Sequence, residues 1–211
     1  MIRVIRIILI ALAALAGILA IFEATRPYRQ SSQVDDYIDG LLQRGAHGAE
    51  AADDYQPVYF LLPSGAETDG YMLVTEERGN YKDGDMALII PSLDFSQPIR
   101  AGTTQADLRI GPGLFESSGM PGEAGGNVSI AAHRTLDMFL YLDRLGDGDR
   151  VHIVYGSYVY TYVFYDNNVV LPSDWSVISA QGFDSCTLIT CTPIGVSDRR
   201  LVVRFKLESV S

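Results

Sequence analysis

The stretch RVHIVYGSYVYTYVFYDNNVVLP, residues 150–172, constrains the fold more than any other part of the chain. β-Branched and aromatic residues fill two runs on either side of Gly156-Ser157, a two-residue hairpin signal. Further runs of the same kind follow Pro57: PVYFLLP, GYMLV, MALIIPSL, NVSIAAH, SCTLITC and RLVVRFKL, divided by Gly, Pro, Asn and Asp. One helical interruption is expected in GTTQADLRIGPGLFESS, with Thr103 or Thr104 as its cap and Gly111-Pro112 as its stop. Seven or eight short strands with mostly antiparallel connections predict an all-β domain. A closed or nearly closed β-barrel is the form that removes exposed edges.

The two ends read differently. MIRVIR precedes an uncharged apolar run, Ile7 to Phe22, so residues 1–22 are expected to form a transmembrane anchor. A signal peptide is the alternative, but its Ala14-x-Ala16 site lies in the middle of the run. Arg3 and Arg6 before the run are balanced by Arg26 and Arg29 after it, leaving the α-amine to favour a cytoplasmic N-terminus. Residues 23–56 read as a juxtamembrane segment. A short amphipathic helix (Val34, Tyr37, Ile38, Leu41, Leu42) behind Ser31 or Ser32 is followed by an acidic linker. Residues 57–211 are left for the barrel, enough chain for a sizeable core. The net charge of −10 and the lack of a Lys/Arg cluster exclude nucleic acid as a partner. No metal-ligand spacing, phosphate loop or dinucleotide fingerprint is present, so neither a metal nor a cofactor is expected.

The chemistry points to TLITCTPIG, residues 187–195. Thr187 to Thr190 read as a strand that delivers Cys191 to its end, and Pro193 and Gly195 stop it. The other cysteine, Cys186, belongs to the same strand. Five residues at about 3.3 Å separate the two by roughly 16 Å, and the odd spacing sends them to opposite faces. A disulfide spans at most about 7 Å between Cα atoms, so both thiols should be free. A thiol acts as a nucleophile when His or Arg stands near it. Of the three histidines, His47 falls in the acidic linker and His152 within a strand, where solvated roles suffice. His133 ends the apolar strand NVSIAAH at the same kind of position as Cys191, and a structural and a catalytic role weigh equally there. In DRRLVVRFKL, alternation puts Leu201, Val203, Phe205 and Leu207 on one face and Arg200, Arg204 and Lys206 on the other. A solvated face suits Arg204 and Lys206. Arg200, level with Cys191 across the loop, competes for the task of stabilising an oxyanion, while Arg199 falls on the opposite side.

These segments resemble the sortase family. TLITC matches its Thr-Leu-x-Thr-Cys signature, and CTPIGVSDRRLVVR is similar to the extension of class C, pilus-type sortases. NVSIAAHR resembles the family's histidine segment, and the likeness runs from about Ala87 to Arg204. The resemblance implies an eight-stranded sortase-type β-barrel and a membrane-anchored cysteine transpeptidase outside the cell, in a Gram-positive-type envelope. It implies attack on the Thr–Gly bond of an LPxTG-like sorting signal in a surface or pilin protein. The thioester is then passed to an amine, either a pilin lysine or a peptidoglycan cross-bridge. Carried over residue by residue, Cys191 is the nucleophile, His133 the general acid/base, Arg200 the oxyanion-stabilising residue and Thr190 a substrate contact. A hydrolytic cysteine peptidase and a tethered binding module, with Cys191 as a buried small hydrophobe, are the other readings. Residues 23–86 lack the Asp-Pro-aromatic lid triplet of class C enzymes, so an open or loosely covered site is expected.

Overall fold

A computed structural model describes residues 75–211 together with Gly40. The expected anchor, the juxtamembrane helix apart from Gly40, the linker with His47, and the strands expected at 57–63 and 70–74 lie outside the described residues. No helix among the described residues is long and apolar enough to cross a membrane.

Eight strands carry the described chain: β1 (Met86–Ile90), β2 (Phe95–Pro98), β3 (Gly113–Leu114), β4 (Asn127–Ala131), β5 (Arg150–Tyr155), β6 (Tyr158–Val170), β7 (Ser185–Thr192) and β8 (Arg199–Val210). They form one sheet in the order β2-β1-β5-β6-β8-β7-β4-β3. The sheet curls until its two edges meet at a bridge between Arg100 and Gly113. There Arg100 N donates to Pro112 O at 2.7 Å and Leu114 N to Arg100 O at 2.9 Å. This one bridge joins the chain just past β2 to β3 and shortens the open edge that invites pairing with other chains. The predicted hairpin is present, with Tyr155 paired to Tyr158 and Gly156 at φ 60°, a conformation that glycine adopts without a Cβ penalty.

Short helices of the described residues flank the sheet, among them α1 (Glu76–Asn80) and α2 (Gln105–Leu108). Thr104 caps α2 through a full capping box with Asp107, which settles the choice between Thr103 and Thr104. Sequence periodicity did not signal α1. Thr75 caps it, and buried Arg78 fastens it by donating to the carbonyls of Phe115 (2.9 Å), Ala101 (2.7 Å) and Leu114 (3.1 Å).

The main core fills the inside of the curl with Met86, Leu88, Ile90, Ile130, Phe139, Tyr162, Leu188, Val203 and Phe205. Each large apolar side chain so buried contributes about 1.5–3 kcal/mol. β7 is buried on both faces over Ser185–Thr190 because a second, smaller cluster covers its outside. Val177, from the 3₁₀ turn Trp175–Ile178 that follows β6, packs there on Ile189 and Val202. The alternation expected for β8 holds for Leu201, Val203 and Phe205. Arg204 corrects it: its side chain is only 12% exposed and donates to Asp166 and Asn168 of β6, both at 3.1 Å. The solvated face expected there is covered by the bulged middle of the 13-residue β6, whose register against β8 shifts between Phe164 and Asp166.

Candidate active site

The register of β7 and β8 sets the site. Cys191 pairs directly with Arg200, and Thr192 with Arg199. The turn between them closes through Val196 N and Ser197 N, both donating to Pro193 O at 3.2 and 3.0 Å. Arg199 is exposed, whereas Arg200 is half-buried and lines the groove beside Cys191. The Arg200 guanidinium donates through Nη1 to the carbonyls of Ser197 (3.2 Å) and Arg199 (3.0 Å). The two cysteines part as parity requires and both are free. Cys186 is completely buried in the main core, and that burial pushes its thiol well above the usual range. Cys191 is half-buried and lines the groove, so it is not packed as a small core hydrophobe.

His133 arrives from an element far away in sequence. β4 runs parallel to β7, with Asn127 opposite Ser185 and Ala131 opposite Ile189. Continuing that constant offset past the strand end sets His133 abreast of Cys191. Two links hold the junction: Ala132 N donates to Ile189 O at 3.1 Å, and the Thr190 hydroxyl donates to Ala132 O at 2.9 Å. Thr190 lines the groove, but it is nearly fully buried and its hydroxyl is used within the protein. Deeper between the strands, the Thr187 hydroxyl donates to Asn127 Oδ1 at 2.8 Å. Asn127 Nδ2 in turn donates to Val177 O (3.3 Å) and Ser179 O (3.0 Å), fastening the covering turn to the strand pair. Every buried polar group here finds a partner, which keeps the pair rigid under the site.

His152 stands elsewhere, on β5, where its Nδ1 lies 3.0 Å from the Thr161 hydroxyl. Burial first and neighbouring Arg150 second hold this imidazole below the usual histidine range. It takes no part in the groove.

The groove has a volume of about 400 Å³. Cys191, His133 and Arg200 share its lining with an apolar wall of Leu108, Phe115, Val177, Ile178 and Ile189, and with Thr103, Gln105 and Asp174. Trp175, 64% exposed, stands edge-on to Phe115 at 6.4 Å between ring centroids. Thr103 is fixed at the rim because its N–H (3.0 Å) and hydroxyl (2.9 Å) both donate to Glu116. Burial raises the Glu116 carboxyl, but these bonds and the nearby Arg78 outweigh it and bring it below the usual carboxylate range. Among the described residues no group of three His, Cys, Asp or Glu side chains is arranged to hold a metal ion.

Sequence reasoning passed over Arg134. Its side chain is only 8% exposed and bonds to the end of β7, donating to the Thr192 hydroxyl at 2.9 Å. An arginine directly after a histidine that ends a buried strand was the available signal. That signal does not name a partner, because the strand it bonds to lies 58 residues away.

The family model described as "Sortase domain" matches residues 88–208. Among solved structures, Streptococcus pneumoniae sortase C is 25% identical with a TM-score of 0.61, covering 84% of this chain and 97% of its own. Sortase A from Corynebacterium diphtheriae, a lid mutant, is 26% identical with a TM-score of 0.58, covering 81% and 93%. A Clostridium perfringens sortase D5 transpeptidase is 29% identical with a TM-score of 0.56, covering 64% and 88%. No curated protein matches the chain.

Proposed function

The chain belongs to the sortase family, and from that premise we propose that it is a cysteine transpeptidase acting on the sorting signal of cell-surface or pilin proteins. The observation that carries this reading is the register. Cys191 directly opposes Arg200 on β8, and the parallel β4 brings His133 to the same end of β7.

In the proposed reaction the Cys191 thiolate attacks the Thr–Gly carbonyl of an LPxTG-like segment laid along the groove. The developing oxyanion draws the Arg200 guanidinium away from the carbonyls of Ser197 and Arg199, which hold it in the free protein. Protonated His133 gives its proton to the departing glycine amine, the C–N bond breaks, and a thioester to Cys191 remains. An incoming amine then loses a proton to His133 as it attacks the thioester, releasing the Cys191 thiolate and a new amide. The wall of Leu108, Phe115, Val177, Ile178 and Ile189 suits the Leu-Pro portion of such a segment, and Thr190 would meet it from the floor. The natural acceptor is proposed to be a pilin lysine or a peptidoglycan cross-bridge, in keeping with the likeness to sortase C. The run Ile7–Phe22 is proposed to hold the domain at the outer face of the cell membrane as a single-pass anchor.

The test is incubation of the full chain in detergent with an LPxTG-type peptide and a panel of amines, followed by mass analysis. The reading predicts cleavage after Thr and a Thr-amide product that grows with amine concentration. Cleavage giving only the free acid at every amine concentration would make the protein a hydrolytic peptidase. No cleavage by wild type of any peptide in a sorting-motif panel would overturn the enzymatic reading.

A further inference from the structure

The hydrogen-bonded ladder between β4 and β7 ends one step short of the chemistry. Its last rungs are the Ala132 N to Ile189 O bond and the Thr190 hydroxyl bond to Ala132 O. His133 and Cys191 lie just beyond, where no backbone pairing fixes one against the other. Arg134 spans that gap. Its Nη1 donates to the Thr192 hydroxyl at 2.9 Å and, more loosely, to the Cys191 carbonyl at 3.5 Å. Its Nε donates to Leu140 O at 3.3 Å, and its Nη2 pairs with Asp143 at 3.0 Å. Phe139 N donates to His133 O at 3.0 Å, so the loop that receives the other prongs also holds the histidine backbone.

We propose that Arg134 is a positioning residue that fixes the separation and aim of His133 and Cys191 by tying the His133 loop to the end of β7. The inference rests on Cys191 being the nucleophile. The charge of Arg134 is answered by Asp143, and its fork is used on the strand end and the loop, so its contribution is geometric. A planar guanidinium can serve the strand end and the loop at once, whereas a lysine ammonium is a single point and cannot reach both. With the tie cut, peptide still enters the groove, since Arg134 does not line it. What suffers is the alignment of the thiol with the group that must protonate the leaving amine.

The experiment uses the full chain in detergent and single-turnover acylation by an LPxTG-type peptide. Arg134→Gln and Arg134→Lys should lower the maximal acylation rate by about 10- to 100-fold, the scale of an ångström-sized misplacement. The half-saturating peptide concentration should stay within about twofold of wild type, because substrate binding is untouched. Thr192→Val removes one prong's acceptor and should cost about 2- to 10-fold. The double variant Arg134→Gln/Thr192→Val should be no slower than Arg134→Gln alone, since both changes cut the same link. Wild-type maximal rates in Arg134→Gln, or additive losses in the double variant, overturn the inference. If Arg134→Gln does not fold, Thr192→Val decides: a lower maximal rate at unchanged half-saturation supports the tie, and a wild-type rate refutes it. Failure of wild type itself to acylate Cys191 would remove the underlying reading and this inference with it. Normal wild-type acylation with unaffected variants removes only the inference.

Discussion

The two ends of β7 carry the same functional group in opposite circumstances. At the near end, Cys186 is sealed in the main core among apolar neighbours, and burial holds its thiol protonated. At the far end, Cys191 lines a groove, faces an arginine across the sheet and has a histidine alongside. They stand only five positions apart on one strand, so composition cannot explain the difference. Parity turns the two thiols to opposite sides, and the second one, just before the chain leaves the sheet at Pro193, lines the groove. On the proposed function, a cysteine would be inert or reactive according to which side of the sheet it occupies and what the neighbouring strands bring to its level.

The largest test of this contrast is the pair of alanine replacements. Cys191→Ala should abolish acylation by an LPxTG-type peptide, while Cys186→Ala should retain most of it. Loss of acylation in Cys186→Ala with the fold intact would reverse the assignment. Next in size, His133→Ala should slow turnover by about 100- to 10,000-fold, because the leaving amine needs a proton and the attacking amine must lose one. His152→Gln should leave turnover unchanged, and the opposite pattern in steady-state rates would show that the wrong histidine has been chosen.

The arginines sharpen the far end further. Arg200→Lys and Arg200→Ala should each lower single-turnover acylation by about 100- to 1,000-fold, the usual effect of losing one oxyanion donor. Arg199→Ala, at an exposed position, should cost far less, and equal losses from both arginines would mean that Arg200 has no special role. The near end predicts an effect on stability alone. Cys186→Ala leaves a small void in a packed core and should cost about 1–2 kcal/mol in denaturant unfolding. A stability equal to wild type would mean that the core around it is not tightly packed.

The smallest effect concerns pH and lies away from the site. His152 is held below its ordinary range, mainly by burial, so the folded chain favours its neutral form. Its contribution to stability is therefore present above the unfolded histidine value of about 6.5 and is lost as pH falls through the lower folded value. Unfolding midpoints taken from pH 8 down to 5 should fall less steeply for His152→Gln than for wild type. Parallel curves would show that this histidine titrates alike in the folded and unfolded chain.

These contrasts also mark how far the sequence could be read. The alternation in SCTLITC and RLVVRFKL, with Pro193 and Gly195 between, was enough to place Cys191 opposite Arg200, because a hairpin is a local matter. The hairpin at Gly156-Ser157 and the capped helix after Thr104 were legible for the same reason. The pairing of β4 with β7 was not: its partners stand 58 residues apart, and nothing in NVSIAAH indicates a parallel neighbour. His133 could be suspected from the end of its strand, but its alignment with Cys191 needed the fold. Arg134 was passed over because nothing local marks its partners, and Arg204 was misjudged because a charged residue on an alternating face reads as solvated. Only tertiary partners, Thr192 and Asp143 for one and Asp166 and Asn168 for the other, account for their burial. The small cluster of Val177, Ile189 and Val202 escaped for a related reason, since it depends on a turn folding back over the outside of β7.

The most direct measurement is to incubate the full chain in detergent with an LPxTG-type peptide lacking any added amine, quench in acid and map the acyl group by mass spectrometry. The account predicts a single thioester on Cys191 carrying the peptide up to its threonine, absent from Cys191→Ala and unchanged in Cys186→Ala. A thioester on Cys186, or peptide cleavage by Cys191→Ala at the wild-type rate, would contradict it.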